Sequence, residues 1–124
     1  MTKIAIIEDD AAISQMYRIK FEAEGYQVES AENGRLGLKL LREVQPDITL
    51  LDLMMPEMNG DEVLEKMRAA DWGKNLKVIV LTNMGEDELP MEVRTKYSVL
   101  AVIQKADMTP RQVFDRVQQE LAEA

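Results

Sequence analysis

Four short stretches carry the residues able to do chemistry. "IIEDD" ends on Glu8, Asp9 and Asp10, "LLDLMMPEMNG" sets Asp52 directly after two leucines, "VLTN" holds Thr82, and "VIQK" ends on Lys105. Each is an apolar run that stops on a polar group. Asp52 is the oddest, because an acid closing a buried-looking strand needs solvent or a partner. The chain contains no Cys and no His. Disulfides, thiolate metal sites, imidazole zinc ligands and His-based triads are thereby excluded, which leaves Asp, Glu, Lys and hydroxyls to act. Carboxylates brought together repel, and at least one takes up a proton unless a cation neutralises them. An all-oxygen donor set favours a hard cation such as Mg²⁺, typically held by one or two carboxylates plus water and a phosphate.

For these groups to meet, the chain must fold distant positions onto one rim. "KIAII" (3–7), "DITLL" (47–51), "LKVIVL" (76–81) and "SVLAVI" (98–103) read as buried strands, and "QVESA" (27–31) alternates like a strand near a sheet edge. Helical period runs over 11–24, with Ile13, Met16, Tyr17 and Phe21 on one side and Gly25 as the stop. It returns over 33–44 before Pro46, over 60–70 on Val63, Leu64 and Met67, and more weakly over 87–96. Pro90 must open that weak helix, because an interior proline costs about 3 kcal/mol. The last helix, 109–124, has Thr109 as N-cap, Pro110 at its first position and Gln112 closing a capping box.

Five strand–helix units predict an α/β fold: a five-stranded parallel sheet with helices on both faces. The commonest order, 2-1-3-4-5, places a site at the carboxyl ends of the strands, where the first and third meet. Those two strands end on Glu8, Asp9, Asp10 and Asp52. The fourth and fifth add Thr82 and Lys105 to the same rim. Each group alone has a plainer reading: Asp10 as the N-cap of the next helix, Thr82 as a turn residue, Lys105 as a solvated lysine. Their joint placement is the informative feature.

The 124 residues fit one domain, taken as 1–124 with no output domain after the last helix. At 46% hydrophobic and 31% charged, the composition is that of a soluble globular protein. A net charge of −8 lacks the basic footprint of direct nucleic-acid binding. No apolar run reaches the roughly 18–20 residues of a membrane span, and "MTKIAIIEDD" is no secretory signal, so a cytoplasmic location is expected.

The four stretches resemble the receiver domain of two-component response regulators, the CheY-like phosphoacceptor module, over essentially the whole chain. The resemblance implies that Asp52 accepts a phosphoryl group from the phosphohistidine of a sensor histidine kinase or phosphotransfer protein. It implies a Mg²⁺ (or Mn²⁺) site of Asp9, Asp52 and the Met54 backbone carbonyl, with Glu8 acting through water and Asp10 as a further acid of open role. Thr82 matches the switch hydroxyl and Lys105 the lysine that pairs with the phosphoryl group. Such a module catalyses its own aspartyl phosphorylation and dephosphorylation without being a conventional enzyme. Phosphorylation then shifts the face of the fourth helix, fifth strand and fifth helix toward a downstream protein or fused output domain, as monomer or phosphorylation-dependent dimer.

Four positions depart from the family pattern. Val102 stands where an aromatic gate is usual, so ring swinging is not expected. Ala106 replaces the usual proline after the lysine, so a trans bond is expected. Met54 and Met84 occupy positions that tune water attack on the acyl phosphate, and two apolar side chains predict slow self-dephosphorylation. Three other readings compete. A small-molecule phosphatase typically needs a second acid where Met54 stands. A flavodoxin-like nucleotide binder is opposed by the acidic, glycine-free "EDDAAIS". A pseudo-receiver, binding partners without phosphorylation, is the strongest alternative.

Overall fold

A computed structural model describes residues 1–122. Five parallel strands form one sheet in the order β2-β1-β3-β4-β5, with β1 Lys3–Ile7, β2 Gln27–Ala31, β3 Ile48–Leu51, β4 Val78–Thr82 and β5 Ala101–Gln104. The helices are α1 Ala11–Ala23, α2 Gly34–Val44, α3 Gly60–Ala69, α4 Met91–Thr95 and α5 Pro110–Ala122. β1, β3 and β4 are buried almost throughout and mostly apolar, with Thr49 the polar residue inside β3, because helices cover both faces of the sheet. Under one face, Ile4, Ile6, Leu50 and Ile79 pack with Tyr17 and Phe21 of α1 and Val113, Phe114 and Val117 of α5. Under the other, Ala5, Ile7, Leu51 and Val80 pack with Leu41 of α2, Val63, Leu64 and Met67 of α3, and Val93 of α4.

The registers align the chemistry. Ile7 pairs with Leu51, and Thr82 pairs with Gln104, so the strands end together at one rim. The capping box of α5 is formed: Thr109 Oγ1 accepts from the Gln112 N–H at 3.2 Å, and Gln112 Oε1 accepts from the Thr109 N–H at 2.8 Å. The expected end of that helix, residues 123–124, lies outside the described residues.

Four details differ from the periodicity. Met16 is 41% exposed, because the buried stripe of α1 runs through Tyr17 and Phe21. β4 starts later than expected and takes in Thr82 as its last residue. β5 begins at Ala101 rather than at 98. Ser98 has φ +55, which breaks extension, and the Arg68 guanidinium draws the Tyr97 and Ser98 carbonyls away from the sheet, at 2.7 and 3.4 Å. The weak fourth helix shrinks to a one-turn 3-10 segment, Glu86–Glu88, and the short α4, with Pro90 as N-cap.

Candidate functional site

Asp52 leaves β3 with its N–H bonded to the Ile7 carbonyl at 3.0 Å, which fixes its backbone to β1. Its residue is only 6% exposed. The loop that follows is tightly built. The Met54 N–H donates to Asp52 Oδ1 at 3.3 Å, and the Gly60 N–H donates to the Leu53 carbonyl at 2.9 Å. A Cβ on Gly60 would collide with the Asp52 carbonyl and the Leu53 Cα, so glycine is required by close approach. Between them the Met58 N–H donates to the Pro56 carbonyl at 2.8 Å, with Glu57 at φ +67. That is a γ-turn of the rare, strained hand. The Glu57 carboxylate anchors it, accepting from Asn33 Nδ2 at 2.7 Å and pairing with Arg35 at 3.5 Å. Asn33 also caps α2, its Oδ1 accepting from the Leu36 N–H at 2.8 Å.

The acids meet as the fold rule requires. Carboxylate oxygens of Glu8, Asp9 and Asp52 lie within 4.8 Å of one another, with Asp9 at the exposed edge and the other two buried. Lys105 reaches across from the end of β5. Its ammonium donates to Glu8 Oε1 and to Asp52 Oδ2, the latter at 3.0 Å. Burial pushes the Glu8 carboxyl up to about 7, against the Lys105 and Asp10 N–H hydrogen bonds that favour its charge, while Asp52 adds to the rise. Burial also opposes the Lys105 charge, but the hydrogen bonds to Glu8 and Asp52 outweigh it and raise its pKa. Asp10 points elsewhere: its Oδ1 accepts from the Ala12 and Ile13 N–H groups at 2.9 and 3.1 Å, the N-cap of α1.

Across the rim, Thr82 is fully buried and its Oγ1 accepts from the Met84 N–H at 3.1 Å. The Gln104 amide donates to the Met84 carbonyl, tying the loop after β4 to the end of β5. Val102 and Met84 are half-buried, and the Met54 side chain is 62% exposed. No cis peptide bond occurs among the described residues, so Lys105–Ala106 is trans.

Sequence reasoning missed three contributors. Asn33 and Gln104 act through hydrogen bonds to residues far along the chain, and neither type nor period marks them out. Tyr17 reads as core from its helical spacing. It also lines a cavity of about 10 Å³ with Glu8, Asp52 and Leu81, so it forms part of the floor of the site. Burial raises its pKa; Lys105 opposes that rise and Glu8 adds to it.

Comparison with known proteins agrees with this geometry. The family model of the response regulator receiver domain matches residues 4–118, and the chain belongs to that family. It is 37% identical over 90 residues to sporulation initiation phosphotransferase F of Bacillus subtilis, covering 73% of this chain and 71% of that protein. It is 38% identical over 86 residues to the DNA-binding dual master transcriptional regulator RpaA of Synechocystis, covering 69% of this chain. The matches span 36% and 37% of RpaA and of the Streptomyces coelicolor regulator AfsQ1, so the chain corresponds to about a third of those relatives. The crystal structure of a CheY-like receiver domain protein from Methanospirillum hungatei superposes with a TM-score of 0.86 at 28% identity, covering 99% of this chain and 95% of that one.

Proposed function

We propose that Asp52 is the phosphoacceptor of a two-component system, taking its phosphoryl group from the phosphohistidine of a histidine kinase or phosphotransfer protein in the cytoplasm. One observation carries the reading: three carboxylates converge at the carboxyl end of the sheet with an ammonium seated on two of them. The Asp52 carboxylate oxygen attacks phosphorus, the N–P bond breaks, and the imidazole leaves with the electron pair. The product is an acyl phosphate. Lys105, already at Asp52, offsets charge on the transferring oxygens. The Gly60 contact and the anchored γ-turn hold the Asp52 loop in place, which serves in-line attack.

The donor set fits a divalent cation, because clustered carboxylates with a single nearby lysine are under-neutralised. Asp9, Asp52 and the Met54 carbonyl would hold Mg²⁺ or Mn²⁺, with Glu8 acting through water. When bound, the ion supplies charge neutralisation at the phosphoryl oxygens. Asp10 serves as the helix cap. Thr82 then turns its O–H to donate to a phosphoryl oxygen and releases the Met84 N–H, and the shift passes through the Met84 carbonyl and Gln104 to the face of α4, β5 and α5, without a ring at Val102. Incubation with Mg²⁺ and acetyl phosphate should add one phosphoryl group by intact mass, and Asp52→Asn should abolish it. A label that persists for minutes or longer accords with the apolar Met54 and Met84. No uptake at Asp52 under those conditions would instead favour a pseudo-receiver.

A further inference from the structure

A second charged feature lies away from the carboxylates. α2 and α3 sit side by side over one sheet face, and a groove of about 680 Å³ runs between them. Leu38, Ala70 and the half-buried Trp72 give it an apolar floor. Arg35, Lys39, Arg42 and Lys66 rim it, with Glu43 as its one acid. This is a cationic groove on a chain of net charge −8. Arg35 is engaged by Glu57 at 3.5 Å, but among the described residues Lys39, Arg42 and Lys66 make no ion pair.

Helix dipoles do not account for the cluster. Arg42 and Lys66 fall in the last turns of α2 and α3, where cations are favoured. Lys39 lies mid-helix, and Arg35 stands in the first turn, where the dipole disfavours a cation. Arg35, Lys39 and Arg42 follow an i, i+4, i+7 spacing, so they form one stripe about 10 Å long. An aromatic centre with a charged rim is the anatomy of a protein-binding patch. The chain as a whole is acidic, so a long polyanion extending past the groove meets net repulsion. A short ligand feels only charges within a Debye length, about 8 Å at physiological salt.

We propose that the α2–α3 groove docks a short acidic amphipathic helix of a partner protein, with Trp72 as the apolar anchor and Lys39, Arg42 and Lys66 as the charge clamp. A partner helix with acids at i, i+4 and i+7 repeats the spacing of the basic stripe, and its apolar side meets Trp72.

Trp72 is the only tryptophan in the chain and reports on the groove directly. The intact protein is titrated with an alanine-based helical peptide bearing Glu at i, i+4 and i+7 beside leucines, and its fluorescence is followed. A saturable blue shift is expected, weakening as salt is raised. Arg42→Glu with Lys66→Glu should weaken binding by about tenfold or more. The same peptide with Lys for Glu should give no shift, and an oligonucleotide or inorganic polyphosphate of equal charge should bind more weakly. Circular dichroism checks the fold, and Arg42→Gln with Lys66→Gln replaces the reversed pair if that pair fails to fold. No saturable shift, unchanged affinity in the folded variant, or tighter binding of the oligonucleotide or polyphosphate would overturn the proposal.

Discussion

The two halves of the carboxyl rim are built differently. Around β1 and β3 the Asp52 loop is over-determined: a backbone bond to Ile7, a glycine that admits no side chain, a strained turn, and Asn33 and Arg35 holding Glu57. Around β4 and β5 the loop after Thr82 has fewer ties among the described residues: the Met84 N–H on Thr82, Gln104 on the Met84 carbonyl, the Glu88 N–H on the Gly85 carbonyl, and a five-residue α4. Strain persists only where surrounding structure enforces it, and elements with few ties open at low free energy. Asp52, the proposed nucleophile, therefore stands on the tightly held half, and Thr82, the proposed switch hydroxyl, stands on the half with fewer ties.

Four measurements can break or sharpen that contrast. Lys105→Met should have the largest effect, since it strands the buried Glu8 and Asp52 carboxylates; a loss of about 3 kcal/mol in urea unfolding near neutral pH is expected. A loss below about 1 kcal/mol would mean that the acids neutralise themselves by protonation instead. Gly60→Ala should cost about 2 kcal/mol, because a Cβ against the Asp52 carbonyl forces the loop to move. If the variant is as stable as the parent, the rigidity assigned to this half is wrong.

The third measurement concerns pH. Glu8 titrates at about 7 in the fold against an ordinary value of 4.5. Between those values the folded state keeps a proton that the unfolded chain has released, so stability falls as pH rises through that window. The midpoint of thermal unfolding in chelator should decline from about pH 5 to about pH 8, and Glu8→Gln should flatten the decline. Excess Mg²⁺ should oppose it, because a cation favours the ionised carboxylate. The smallest effect is expected from Gln104→Ala, under about 1 kcal/mol in global stability. Amide exchange over residues 83–90 should quicken while residues 53–60 stay unchanged; equal acceleration in both loops would erase the distinction between the halves.

How much of this was legible beforehand depends on the range of the interaction. The strand order followed from alternating buried runs and helical segments, and the meeting of Glu8, Asp9, Asp52 and Lys105 followed from that order. Thr109, Pro110 and Gln112 announced their helix start because a capping box is complete within four residues. Asp10 carried two readings, metal ligand or cap, and the Ala12 and Ile13 N–H groups take its carboxylate as a cap. The late start of β5 was not visible. Apolar residues from Val99 onward look like strand, yet Arg68, thirty positions from Ser98 in the chain, claims the preceding carbonyls.

The amino-acid sequence alone determined the layered α/β architecture and the polar residue types at the strand ends, because burial and periodicity are local properties of side chains. Tertiary structure alone decided which hydrogen bonds hold them. The γ-turn at Glu57, the grip of Asn33, the reach of Lys105 to two acids and the Gln104 tie each join residues whose pairing depends on how loops approach in space, and no local pattern encodes that approach.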